Sequence, residues 1–508
     1  MAKNTFHLIS LGCAKNTVDS DSMAQLLIRD GYRAVDNPAR ANVLIVNTCG
    51  FIGPARQESL NVLRELAEGK RDGQILIAAG CLTQRYGAEV AKQVSGIDGI
   101  LGTRRWMDIV QVARELRKTK YPEPLYHLPE AKTVGADEHE ALRASVAGAS
   151  AYLKIADGCR RPCAFCAIPL IKGTAVSRPI ETILDEARRL REAGVRELIL
   201  IAQDTTDYGH DLGMKDGLAI LLERLVNEAA GPHPSPSLPS PKSVGEGRGN
   251  SVLSDAILSS RKSVGEGRGN GVLSDAVLPS PVVGRGAGGE GLQWLRVMYA
   301  YPGYVTDRLI DVMASSPQVL SYLDMPLQHA HPDTLYRMRR PSNMDWVHKT
   351  LEKMRAKIPN LAIRTTFIVG YPGETEEEFR ALEDFLRETR FDRAGAFQFS
   401  FEPGTTSEPL GDPIPPEVKQ ERYDRLMTLQ QDISLQINQS YVGKTLDVLV
   451  EGYGDGLSIG RSYRDAPEID GLVMVEAKLP VGEIVPVKIT GAMAYDLTGM
   501  PENSLVVL

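Results

Sequence analysis

Apolar and polar positions run along this chain in blocks that switch repeatedly between strand and helix spacing. Residues 5–10 form a short apolar run that predicts a strand, ending at Leu11-Gly12-Cys13. A helix is predicted from about Asp19 to Arg29, with Met23, Leu26 and Leu27 on one face. Residues 42–47 read as the next strand, followed by Thr48-Cys49-Gly50, and a helix begins near Pro54, a residue suited to a first helical position. Residues 75–79 form a third strand ahead of Gly80-Cys81, and another helical stretch covers about 84–95. This alternation predicts a parallel βαβ sheet. From 102 to 148 a helix runs to about 118 and a connector follows, broken at Pro122 and Pro124. Arg104 and Arg105, ahead of Trp106, read as solvated surface.

The middle of the chain repeats the alternation. Strands are predicted at 152–155, 196–202, 293–299, 321–325, 363–369 and 394–399, and helices at 180–193, 217–229, 306–314, 345–357 and 375–388. The last helix carries a capping-box signature, Thr375 with Glu378 three residues on. Such repetition predicts a partial or complete β/α (TIM-like) barrel, whose loops after the strands face one mouth. The segment around Cys159, Gln203-Asp204, Gln328-His329 and Gly370 to Gly373 would share that mouth. Residues 232–290 interrupt the order and are rich in Pro, Ser and Gly. Lys242 to Asn250 recurs as Lys262 to Asn270, but two copies so poor in bulky residues cannot stack as a solenoid, so a disordered surface insertion is expected. Gly-Glu-Gly-Arg-Gly within it lacks Walker spacing. A helix at 417–440 leads into short strands at 445–451, 457–461, 472–475, 484–490 and 505–508, which predict a small antiparallel β-barrel. The expected α/β organisation is therefore an N-terminal parallel sheet domain at 1–135, a central barrel at 145–390, a linker strand and helix at 391–440, and a barrel at 441–508.

The length of 508 residues suits about three domains of ~150 residues. No run of about 18 apolar residues predicts a membrane span, and the first residues lack a signal-peptide pattern, so a cytoplasmic location is expected. The net charge of −7 argues against broad nonspecific nucleic-acid binding. Residues 441–508 hold five Lys or Arg against ten Asp or Glu, a match for a basic protein rather than a phosphate backbone.

The six cysteines fall into two groups of three. Cys159, Cys163 and Cys166 stand in a Cys-xxx-Cys-xx-Cys spacing with no fourth cysteine following. Three thiolates can hold three irons of a 4Fe-4S cluster and leave the fourth open. A structural zinc site wants four protein ligands, and none is supplied nearby. Cys13, Cys49 and Cys81 each fall two or three residues beyond a predicted strand. Parallel strand ends share one edge, where α/β sheets place ligands, so these thiols can converge as a second such site. Three unrelated buried cysteines are the alternative. His329 and His331 lack a clear third metal partner, and Asp204 with Asp207 could serve acid–base chemistry.

With these residues in view, the chain resembles the methylthiotransferase family of radical S-adenosylmethionine (SAM) enzymes over nearly all its length except 232–290. Leu11 to Asn16, Val46 to Ile52, Gly80-Cys81-Leu82, Tyr322 to His329 and Gly460 to Tyr463 resemble the branch acting on ribosomal protein uS12. Ala14 stands where that branch is expected to have Pro. The resemblance implies a radical-SAM central domain and a C-terminal TRAM barrel. It implies two 4Fe-4S clusters, one on Cys159, Cys163 and Cys166 that binds SAM, and an auxiliary one on Cys13, Cys49 and Cys81 that delivers sulfur. It further implies methylthiolation of an aspartate β-carbon in uS12, free or in the small ribosomal subunit, with an electron donor. An unactivated C–H bond offers no acidic proton, which is why a radical initiator serves. Gly370 and Gly373 are candidates for close backbone approach to SAM and Gln203 for the same pocket, with tight turns or core packing as the alternative. The same chemistry on tRNA adenosine, or a noncatalytic iron–sulfur scaffold or electron carrier, are the other readings.

Overall fold

The computed structural model describes residues 4–119, 121–135, 140–229 and 292–502. The insertion at 232–290 and the strand expected at 505–508 lie outside them.

The first sheet holds β1 (Thr5–Ser10), β2 (Arg33–Ala34), β3 (Val43–Thr48), β4 (Ile75–Gly80), β5 (Gly99–Gly102) and β6 (Leu125–His127). Their order is β2-β1-β3-β4-β5-β6, every pair parallel. Every residue of the central β3 is buried, as a parallel strand covered on both faces requires. Strands β5 and β6 escape a periodicity reading because they are four and three residues long. The first helix, Ala14–Arg29, starts five residues before the predicted Asp19. Its early positions hide the signal, because Lys15, Asn16, Asp19, Ser20, Asp21 and Ser22 are polar yet buried.

The central sheet holds β7 (Ala144–Ala147), β8 (Ser150–Lys154), β11 (Glu197–Ile201), β12 (Trp294–Val297), β13 (Val319–Asp324), β14 (Ala362–Val369) and β15 (Arg393–Gln398), with β9 (Ala156–Asp157) and β10 (Val176–Ser177) paired apart from it. The order β15-β14-β13-β12-β11-β8-β7 is parallel except for the antiparallel edge strand β7. It is an open, partial barrel whose helices, Ile180–Glu192 through Glu376–Thr389, pack one large apolar core. The capping box forms: Glu378 N–H donates to the Thr375 hydroxyl, and Thr375 N–H donates to the Glu378 carboxylate.

The C-terminal strands β16 (Thr445–Gly454), β17 (Leu457–Ser462), β18 (Val473–Val475), β19 (Ile484–Ala492) and β20 (Leu497–Pro501) close a barrel in the order β16-β17-β18-β20-β19. The expectation of a wholly antiparallel barrel needs one correction, because β20 lies parallel to β18. Helix Pro416–Gln439 leads from the central sheet into this barrel. Among the described residues no helix is long and apolar enough to cross a membrane.

Candidate functional site

Strands β1, β3 and β4 are neighbours in register, with Ser10 beside Asn47 and Thr48 beside Gly80. Their C-terminal ends therefore carry Cys13, Cys49 and Cys81 to one edge. Cys49 and Cys81 directly follow their strands, closer than the two or three residues expected. The loops fit with no slack. A Cβ on Gly12, at φ +94°, would lie 2.8 Å from the Cys49 Cβ and 3.0 Å from its Sγ. Asn16 and Asn47 tie the first two loops together. The Asn16 amide donates to the Leu11 carbonyl at 2.6 Å and the Asn47 carbonyl at 3.1 Å, and the Asn47 amide donates to the Asn16 carbonyl at 3.0 Å. Burial pushes the Cys49 thiol up to about 11 and the Cys81 thiol up to about 12, and the nearby Cys13 charge adds to both.

The second loop leaves β9 at Asp157 and carries Cys159, Cys163 and Cys166. It is pinned by Cys159 N–H to the Gly173 carbonyl at 3.0 Å and Ala164 N–H to the Met338 carbonyl at 2.9 Å. Arg161 N–H donates to the Cys159 sulfur at 3.4 Å, and the Arg340 guanidinium donates to the Cys163 sulfur at 3.6 Å. Burial pushes the Cys159 thiol up to about 11 and raises Cys166 as well, with Cys163 adding to both.

Each donor set is three soft sulfurs, which suit zinc or iron–sulfur groups rather than hard cations. Sulfurs sharing one tetrahedral zinc stand about 3.8 Å apart, given a Zn–S bond of about 2.3 Å. Among the described residues, the metal-ligand trio whose atoms all lie within 4.8 Å of one another is His331, Asp333 and Glu378, and neither cysteine set is that tight. The histidine trio is already engaged: Glu378 is taken by Arg337 at 2.6 Å and by the helix cap, and His331 caps its own helix by accepting the Asp333 N–H. His329 is fully buried and accepts the His331 N–H.

A cavity of about 350 Å³ opens beside the second cysteine loop. The central domain contributes Cys159, Cys163, Cys166 and Gln203 to its wall, and the first domain contributes Lys15, Phe51 and Ile52, the near neighbours of Cys13 and Cys49. Gln203 lines the cavity beside the second cysteine loop. Gly370 and Gly373 do not line this cavity. Both have positive φ and form a turn whose close approach is to the protein itself: a Cβ on Gly370 would lie 2.4 Å from Lys419 Cγ, and the Gly373 carbonyl accepts from Arg337. Asp204 and Asp207 are held by Arg161 and Arg160, so the pair anchors the cysteine loop's arginines. Arg104 is not solvated surface, because it donates to the carbonyls of Leu170, Ile171 and Ala131 and clamps the first domain to the helix after Cys166.

Lys15 and Tyr299 line the cavity without having been read as site residues, and Gln328 joins them from the stretch expected at the mouth. Tyr299 and Gln328, in the loops after β12 and β13, have φ of +61° and +78°, unusual for residues with side chains. Lys15 lies with its ammonium 3.1 Å from the Tyr299 ring centroid, and burial lowers its pKa to about 8.

Residues 5–102 match the model described as uncharacterized protein family UPF0004, residues 153–261 and 274–386 match the radical SAM superfamily, and residues 442–501 match the TRAM domain. The chain is 44% identical to the ribosomal protein uS12 methylthiotransferase RimO of Chloroflexus aurantiacus, over 97% of this chain and 99% of that protein. It is 41% identical to the protein of the same name from Desulforamulus reducens, over 97% of this chain and 98% of that protein. Among solved structures, a radical S-adenosylmethionine methyltransferase from Kitasatospora setae, TsrM, shares the fold at a TM-score of 0.52 and 12% identity, over 90% of this chain and 77% of that one.

Proposed function

This chain belongs to the ribosomal protein uS12 methylthiotransferase family of radical SAM enzymes, and from that premise we propose which of its residues carry the reaction. The transfer places a methylthio group on uS12 by radical SAM chemistry, and the carbon modified is the β-carbon of an aspartate. Cys159, Cys163 and Cys166 would hold one 4Fe-4S cluster, the one that binds SAM, and Cys13, Cys49 and Cys81 a second. When bound, the clusters supply the electron that cleaves SAM and the sulfur that is delivered, with an external donor restoring the electron.

The chain's own residues prepare both ends of this chemistry. Arg161 N–H, aimed at the Cys159 sulfur, favours the thiolate that burial otherwise opposes, and the Arg340 guanidinium donates to the Cys163 sulfur. Phe165, Ile168, Ile368 and Phe399 give the cavity an apolar wall that limits water around a reactive species. Gln203 offers a neutral hydrogen-bonding group to SAM. Gly370 and Gly373 serve the turn after β14 and act on the cavity only through it. The observation that carries this reading is the shared wall: one cavity touches the second cysteine set and the residues flanking the first. Both reactants of a transfer between the two sets would meet there.

The C-terminal barrel favours a basic protein substrate over tRNA. Its two arginines, Arg461 and Arg464, are buried and paired with Glu197 and Asp392. Among its described residues the exposed cations are Lys444, Lys478 and Lys488, set against exposed Asp447, Asp455, Glu468, Glu476 and Glu502. A phosphate backbone needs the reverse balance, whereas a ribosomal protein built to bind RNA brings positive charge of its own. We assign residues 1–135 to the sulfur-delivering domain, 145–390 to the SAM domain and 441–508 to substrate docking, with 391–440 as the link, acting in the cytoplasm. The test is mass spectrometry after anaerobic turnover with reductant, sulfide and SAM, offering uS12 and tRNA in competition. A gain of one methylthio group on a uS12 aspartate is expected. The same gain on adenosine would overturn the substrate, and absence of SAM cleavage with both clusters intact would overturn the mechanism.

A further inference from the structure

Five charged side chains face the cavity: Lys15, Arg161, Asp204, Arg340 and Glu402. Four of them are engaged. Arg161 pairs with Asp204 at 2.5 Å, Glu402 pairs with Arg85 at 2.6 Å, and Arg340 donates to the Pro326 carbonyl and the Cys163 sulfur. Lys15 differs. It is 7% exposed, and among the described residues its ammonium has no hydrogen-bond or ion-pair partner, only the face of Tyr299. Two anionic groups act on it at a distance, Cys13, which is assigned to a cluster above, and Asp324, which is already taken by Arg364 at 3.1 Å and by the Tyr299 N–H at 3.2 Å.

Folding alone gives no reason for a cation at this point. Lys15 lies in the first turn of helix Ala14–Arg29, where the helix dipole presents its positive end. A buried charge without a counter-ion is costly. Tyr299 beneath it holds a backbone conformation that a bulky residue seldom adopts, and such strain collects at functional sites. A cation so placed, aimed into a cavity and with no anion bonded to it, is a receptor for one.

We propose that Lys15, seated on Tyr299, binds the carboxylate of the acidic side chain that the enzyme modifies, a specificity role that rests on the function proposed above. The carboxyl carbon of an aspartate is bonded directly to its β-carbon. Anchoring the carboxylate therefore positions the reacting carbon one bond away. Lys15 is two residues from Cys13, so the anchor belongs to the sulfur-delivering domain while the cavity's other wall belongs to the SAM domain. A neutral nucleobase or an asparagine offers this group only an uncharged acceptor.

The test uses the full chain with both clusters reconstituted anaerobically and two uS12 peptides, one with the target aspartate and one with asparagine in its place. Fluorescence anisotropy gives each affinity for the natural chain, Lys15→Met and Lys15→Arg, and SAM affinity is measured alongside. The natural chain is expected to prefer the aspartate peptide, and Lys15→Met to reduce that preference by at least about tenfold while the asparagine peptide binds as before. Lys15→Arg keeps the charge, and its retention of most of the preference separates loss of charge from loss of fold. Equal weakening for both peptides, or an unchanged preference in Lys15→Met while the natural chain modifies the aspartate peptide, would overturn the assignment alone. A loss confined to SAM affinity would give Lys15 to the SAM carboxylate and likewise overturn it. If the natural chain fails to methylthiolate the aspartate peptide at all, the substrate reading falls and this role with it.

Discussion

Gly50 stands between two cysteine loops with no room for a side chain. A Cβ there would lie 2.5 Å from the Leu82 Cα and 2.8 Å from the Leu82 nitrogen, backbone atoms that cannot rotate away. Gly50→Ala must therefore push the loop bearing Cys49 away from the one bearing Cys81. The expected result is loss of one of two three-cysteine sites: iron and sulfide content should fall by roughly half, methylthio transfer should stop and SAM cleavage should persist. Full iron content with normal transfer would show that the two loops need not meet. At this scale the sequence was legible where chemistry dictated spacing. Three cysteines in eight residues point to one ligand set, and three cysteines after three strands point to one sheet edge. Lys15 and Tyr299 were not legible, because their meaning depends on a positive φ at Tyr299 and on which helix turn faces the cavity. At Gly370 and Gly373 a glycine-rich turn is visible in sequence, but the protein atoms packed against it, those of Lys419 and Arg337, are not.

Helix Ala14–Arg29 shows the same limit one level up. Its second half follows an apolar stripe through Met23, Leu26 and Leu27, and that part was predicted. Its first half buries polar side chains, Asn16 and Ser20 bonding within their own domain and Asp19 to another. Asp19 accepts from Lys154, from Lys172 at 2.9 Å and from Arg143 at 2.6 Å, while Asp157, just before the second cysteine loop, takes the same three cations. Burial opposes the Asp19 charge, yet Lys154, Lys172 and Arg143 together hold its carboxyl below the usual range. Two anions and three cations thus lock the helix after Cys13 to the strand before Cys159, and so fix the two cysteine sets relative to one another. Asp19→Asn would leave three buried cations on one carboxylate, and we expect it to cost about 3–5 kcal/mol in chemical denaturation of the full chain. Lys353→Ala, which breaks an exposed pair with Asp307, should cost within about 1 kcal/mol. Similar losses in the two variants would mean that the network does not hold the domains together.

In the whole molecule, alternation of strand and helix exposed two sheets and a barrel, but it could not distinguish an open sheet from a closed one or reveal how the barrel is fastened. The fastening is ionic and long in sequence: Glu197 on β11 accepts from Arg296 at 2.7 Å and from Arg461 of the barrel at 2.6 Å, all three fully or almost fully buried. Burial works against this carboxylate, but the two guanidiniums overcome it and lower its pKa from 4.5 to about 2. A carboxyl that titrates lower in the folded chain stabilises it fully above the unfolded pKa and loses that contribution as pH falls toward the folded one. The shift corresponds to about 3 kcal/mol, of which about 2 should be gone near pH 3. Glu197→Gln strands the buried Arg296 and leaves Arg461 only its pair with Glu451 at 2.7 Å, and should cost about 3–5 kcal/mol near neutrality. The sharper measurement is the difference in unfolding free energy between the natural chain and Glu197→Gln, followed from about pH 6 to about pH 3. Other carboxyls titrate alike in both proteins and cancel in that difference, so it should be constant above about pH 5 and shrink below it. A difference that stays flat throughout would show that the seam titrates no differently when folded, and that the barrel is held to the central sheet by packing rather than by this carboxylate.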